Sequence, residues 1–137
     1  MSSVISPAQH AEMVRQIATS SAPSRSALAA SWRRSLLHHG LEPESPRRAE
    51  RLSLPALRER REAVQSLIAI AAPILDRLAG AVTETGCALM LGLPDGLIVD
   101  ERLRPFDRDL FTDVGLTTGA IWSEAQEGTN GIGTALA

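Results

Sequence analysis

The densest run of residues suited to binding a ligand is Gly128-Thr129-Asn130-Gly131-Ile132-Gly133-Thr134. Its outer glycines repeat the spacing of a phosphate-cradling loop, whose backbone N–H groups wrap an anion. Thr134 stands where such a loop places the lysine that reaches the β- and γ-phosphates, so the cation is missing. A dinucleotide fingerprint needs a βαβ unit and an acidic residue about twenty positions further on, and neither follows. The glycines read better as a tight turn, or as close packing of a helix on a sheet.

The other reactive residue types give no constellation. His38 and His39 are adjacent, so on a helix they point about a hundred degrees apart and cannot share a metal. Asp107, Asp109 and Asp113 lack the glycine and closing glutamate of a calcium loop. Arg47, Arg48, Arg51, Arg58, Arg60 and Arg61 are interleaved by Glu50, Glu59 and Glu62, which suits a salt-bridged helix face better than a phosphate-binding one. Cys87, the one cysteine, opens an apolar segment and reads as a buried thiol; it allows no intrachain disulfide. No Ser/His/Asp arrangement is supported. The residues point to no catalytic group, no metal site and no cofactor.

With 44% hydrophobic and 22% charged residues, 137 residues suit a folded chain with a core. Charge is uneven: residues 1–75 carry ten Arg against six acids, and residues 76–137 carry four Arg against ten acids. Two segments of different character are implied. No apolar run approaches membrane-spanning length by inspection, and the N-terminus lacks a basic-then-apolar leader pattern. The expectation is a cytoplasmic protein with no membrane partner.

The elements that must position these residues follow from periodicity and caps. Ser6-Pro7-Ala8-Gln9 is a capping box with proline at the first helical position, and Ala11, Val14, Ile17 and Ala18 share a face behind it. A second helix spans about 26–39, with Leu28, Trp32, Ser35, Leu36 and His39 at helical spacing. It is closed by Gly40 and a returning Leu41. Residues 42–53 form an Arg-rich connector. A long helix covers about 54–84, with a kink near Ala69–Pro73 or two helices in tandem expected because proline removes a hydrogen bond there. Cys87–Leu91 and Leu97–Asp100 flank Leu93-Pro94-Asp95-Gly96 as a hairpin. The charged stretch 101–109 reads as a loop, a short helix runs over 109–114, and Ala120-Ile121-Trp122 is briefly extended. Thr129 is then the expected cap of a helix through Ala137. The class is α+β, with at most three visible strands.

Three groups of residues carry a resemblance. They are Ser31-Trp32-Arg33-Arg34-Ser35 with Gly40-Leu41-Glu42-Pro43; Leu57 and Arg61-Glu62 leading into Ala72-Pro73-Ile74-Leu75 and Leu78; and Gly115-Leu116 and Gly119 with Trp122-Ser123-Glu124 and Gly128 to Leu136. In this order they resemble the N-terminal sensory region of sigma-54-dependent bacterial transcriptional activators of the acetoin-catabolism-regulator type. In that family the last motif reads Asn-Ala-Ile-Gly-Thr-Ala-Leu, with alanine where Gly131 stands here.

The resemblance implies a helical arm over residues 1–53. It implies the long helix and the first part of a GAF domain over residues 54–137, apparently truncated. It implies a non-enzymatic module that binds an unknown small-molecule effector and homodimerises through the long helix. DNA and sigma-54 RNA polymerase would be engaged only through domains absent from these 137 residues. The effector-binding residues it suggests are Trp122, Ser123, Glu124, Thr129 and Asn130. The alternative is a homodimerising or protein-interaction fragment with no ligand of its own.

Overall fold

The computed structural model describes residues 5–45 and 47–136. The fold is α+β. Six α-helices among the described residues are α1 (Pro7–Thr19), α2 (Ala27–Arg33), α3 (Leu54–Ala63), α4 (Gln65–Val82), α5 (Arg108–Asp113) and α6 (Glu124–Glu127). The strands are β1 (Glu50–Arg51), β2 (Leu89–Gly92), β3 (Ile98–Arg102) and β4 (Ala120–Ile121). The chain divides into two compact units. One joins residues 1–47 with residues 123–137, and the other is residues 48–122.

In the first unit α1 starts as its sequence dictates. Ser6 accepts from the Gln9 backbone, and the Gln9 side chain accepts from the Ser6 N–H at 2.9 Å. Ala11, Val14 and Ala18 are buried along one face, with Ala29 of α2 also buried. Small residues at these positions let the two helices approach closely. The expected face of the second helix is buried only in part: Ser35 is buried, Trp32, Leu36 and His39 are half-buried and Leu28 is exposed, while Ala29 and Ser31, not among the expected positions, are buried. Ser31 can turn inward because it finds polar partners there, as described below. After Arg33 the helix widens into a π turn over Arg34–His38, with the His39 N–H bonded to the Arg34 carbonyl at 2.9 Å. Gly40 at φ 64° then lets the Leu41 N–H reach the Ser35 carbonyl, also at 2.9 Å. This is the expected left-handed closure with Leu41 turned back into the unit.

In the second unit β2 and β3 form the expected hairpin. The register pairs Leu89 with Arg102, Met90 with Glu101 and Leu91 with Asp100, and it is irregular between Leu91 and Gly92. Gly96 adopts φ 85° in the turn. Leu93, Leu97 and Val99 make the buried cluster, and Leu52, Val64, Ile68, Leu91 and Ile121 pack on it. Fully burying an aliphatic side chain of this size contributes about 1.5–3 kcal/mol. A strand that the pattern did not suggest, β1, pairs antiparallel with β4. It lies in the Arg-rich connector, whose polar sequence hides a two-residue strand.

Four local expectations are corrected. The long stretch is two helices in tandem, as one expectation had it, but they part at Val64 (φ −114°, ψ 20°), not near Pro73. Val64 and Ile68 pack on the hairpin cluster while the charged turns before them stay in solvent. Pro73 sits inside α4; it and Ala69 are exposed, so water can replace the missing donor. Cys87 is exposed rather than buried. The charged stretch after Asp100 is not all loop: β3 continues to Arg102, whose guanidinium bonds Asp76 and Asp100. Finally, Gln65–Thr85 is long and apolar enough to cross a membrane by length and composition alone. Asp76 and Arg77 lie in its middle, which is costly in a bilayer.

Candidate functional site

The residues of the first unit that could act on a ligand sit where α2 meets the segment after Trp122. Ser31 on α2 and Arg34 at the start of the π turn are three apart and so share a face. Both reach Glu124, the first residue of α6. The Arg34 guanidinium grips the carboxylate with both ends of its fork, Nε to Oε1 at 2.7 Å and Nη2 to Oε2 at 2.9 Å. The Ser31 hydroxyl donates to Oε2 at 2.7 Å. Ser31 is fully buried and Glu124 is 6% exposed. The bond from Arg34 is the main reason the Glu124 carboxyl titrates below the ordinary glutamate range, against a burial effect that pulls the other way.

Ser31 has one proton, and it goes to Glu124. The 2.6 Å contact between Ser31 Oγ and Thr129 Oγ1 must therefore be donated by Thr129. Gly128 joins α6 to Thr129 at φ 73° and ψ −158°, a region open essentially to glycine alone. Asn130 then folds its side chain onto the turn. Its Oδ1 accepts from the Ile132 N–H at 2.9 Å and the Gly133 N–H at 2.7 Å, and its Nδ2 donates to the Gly128 carbonyl at 2.8 Å. The cap is thus Asn130 rather than Thr129, and only a 3-10 turn, Thr134–Leu136, follows it in place of the expected helix; Ala137 lies outside the described residues. Two loop N–H groups a phosphate would need are already bonded by Asn130.

The five residues suggested for effector binding have these surroundings. Glu124 and Thr129 meet through Ser31. Ser123 bonds Gln126 Oε1 at 3.2 Å, and the Asn130 side chain bonds its own turn. Trp122 belongs to the unit of residues 48–122, where its Nε1 donates to the Gly115 carbonyl at 2.9 Å and its backbone N–H to the Gly96 carbonyl at 2.9 Å. Among the described residues no group of three or more His, Cys, Asp or Glu is placed to hold a metal. Sequence reasoning missed the role of Ser31 and Arg34. Their spacing on one helical face was legible, but a partner ninety residues away was not.

A protein-family model described as the MimR N-terminal domain matches residues 8–137. This chain belongs to that family. It is 36% identical over 107 residues to the acetoin catabolism regulatory protein of Cupriavidus necator, covering 78% of this chain and 16% of the relative. It is 37% identical over 89 residues to the propane 2-monooxygenase operon transcriptional activator MimR of Mycolicibacterium goodii, covering 64% of this chain and 15% of that protein. The activator of the same name from Mycolicibacterium smegmatis is 36% identical over 108 residues, covering 77% and 17%. The matched stretch is thus about a sixth of each relative, and these relatives are named as regulators rather than enzymes. No solved structure is significantly similar to the chain. The chain is therefore related to the N-terminal regulatory region of transcriptional activators.

Proposed function

We propose that the chain is the non-catalytic sensory region of a cytoplasmic, sigma-54-dependent bacterial activator. Residues 1–53 act as a helical arm and residues 54–137 as the opening part of a GAF domain. The region answers a small-molecule effector, while DNA and polymerase are engaged by other parts of a larger protein. The observation that carries this reading is the Arg34–Glu124 pair. It ties the Ser31-to-Ser35 signature to the Trp122-to-Leu136 signature, in a family whose named relatives are activators. An effector that favours one packing of the helices shifts the population of that packing, and the helices carry the shift onward.

A chimera tests it. Residues 8–137 would replace the matching stretch of the Cupriavidus necator relative, with a reporter on its target promoter. The expected result is output that rises and falls with the supplied carbon source, and that loses this response in Glu124→Gln. Output that stays constant across a broad panel of carbon sources would sink the sensory reading.

The second reading, a homodimerising fragment without a ligand, is favoured by one observation. Leu67, Ile70, Ile74 and Leu78 form an exposed stripe at spacings of three and four along α4, between 45% and 69% exposed. Light scattering after size exclusion should then give a dimer that Ile70→Glu dissociates. A monomer at every concentration would remove this reading.

A further inference from the structure

In the unit of residues 48–122, α3 and the start of α4 line an open groove of about 580 Å³. Leu54, Leu57 and Ile68 supply its apolar surface, and Arg58, Arg61 and Glu62 its charges. The surface is held from beneath. A Cβ at Gly119 would come within 3.0 Å of Leu57, and Ile68 packs on the hairpin cluster. Leu54 is 77% exposed. Arg60 is tied to Asp95 at 2.6 Å, but among the described residues Arg58 and Arg61 have no ionic partner. Two arginines against one glutamate leave the groove positive.

The same unit carries a second apolar surface of the opposite sign. Phe106, Leu110 and Val114 are four residues apart through the turn into α5 and fall on one side of it. Phe106 is 92% exposed, and the other two are more than half exposed. Asp109 and Asp113, also four apart, are exposed beside this stripe, and among the described residues they have no ionic partner. Arg108, the cation of α5, is already bonded to Glu101 at 3.0 Å. Contiguous exposed apolar residues mark an interaction surface, and the two acids match the two arginines in sign and number. Both surfaces stand exposed on one chain, so a single copy does not join them, whereas two copies can.

We propose that the groove receives α5 of a second copy, with Phe106 and Leu110 against Leu54, Leu57 and Ile68 and with Asp109 and Asp113 facing Arg58 and Arg61. The contact is heterologous: reciprocal exchange closes a dimer, and one-way docking builds larger assemblies. It goes beyond the sensory reading, and it leaves the stripe of Leu67, Ile70, Ile74 and Leu78 unused.

Sedimentation velocity of the full 137-residue chain at low salt tests it, in wild type and in an Ile70→Glu background that removes the α4 stripe. The mass should rise above that of a monomer with concentration in both. Asp109→Arg with Asp113→Arg should weaken association at least about tenfold, and so should Arg58→Glu with Arg61→Glu, because like charges would then meet. All four substitutions in one chain should restore association, as should mixing the two reversed chains, a rescue that a damaged fold would not give. Phe106→Ser should weaken association without changing the melting temperature, and it carries the decision if a charge-reversed chain is disordered. A monomer up to on the order of 1 mM would overturn the proposal. So would association that Ile70→Glu abolishes, that survives both charge reversals, or that the combined reversal does not restore. The carbon-source response of the chimera does not enter these masses, so the sensory reading and this one fail separately.

Discussion

Arg34 and Glu124 lie ninety positions apart and meet in a two-point ion pair, with the carboxylate buried and the guanidinium half-exposed. Removing one partner leaves the other worse off than removing both, because Glu124 keeps its charge in a site with little water. Glu124→Gln should cost about 2 kcal/mol, and Arg34→Ala a similar amount or more. A double-mutant cycle by urea unfolding should give a coupling of about 0.5–3 kcal/mol. Additive single effects would mean that the pair does not hold the unit together.

The same carboxylate sets an acid limit. Its folded pKa is depressed, chiefly by the Arg34 bond. The unfolded state therefore takes up its proton first as pH falls. The stability Glu124 contributes is fully present above its ordinary value of 4.5 and is lost as pH drops through the lower folded value. Urea midpoints measured from pH 7 downward should fall in that window, and Glu124→Gln should flatten the fall. An unchanged slope in the variant would place the acid sensitivity elsewhere.

Two glycines in one motif should respond in opposite directions. Gly128 sits at φ 73°, and a Cβ there would also meet Leu41 and Ser35 at 3.6 and 3.7 Å. Gly128→Ala should destabilise by about 1–3 kcal/mol. Gly131 has no positive φ, is exposed, and has nothing within 4 Å of a built Cβ. Gly131→Ala should stabilise by about 0.4–1 kcal/mol, mainly by restricting the unfolded chain. Thermal melts of both variants check the signs.

In the other unit Leu97 is fully buried at the hairpin turn. Leu97→Ala removes its contacts and leaves a void beneath α4, so a loss of about 2–5 kcal/mol is expected in chemical denaturation. A loss under 1 kcal/mol would show that the hairpin cluster is not the core.

What was legible in the chain was local chemistry. The Ser6–Gln9 box, the Gly40–Leu41 closure and the Leu93–Gly96 turn each depend on neighbours within a few positions, and each forms as read. What was not legible depended on distant partners. Ser31 and Ser35 looked no more buried than Leu28 until Glu124 and Thr129 came into contact with Ser31. The break at Val64 follows from packing on the hairpin, which begins about twenty-five residues later, whereas Pro73 announced itself and did nothing visible. The candidate site was half legible. The terminal motif was singled out, but its partners Ser31 and Arg34 were not.

The unit that holds Arg34 and Glu124 is made of two separate lengths of chain, ending at Arg47 and resuming at Ser123. Residues 48–122 are thus the tether that keeps those lengths at high effective concentration. After a single cleavage there the pairing would become bimolecular once residues 48–122 unfold, and from that point the stability of the first unit would depend on dilution.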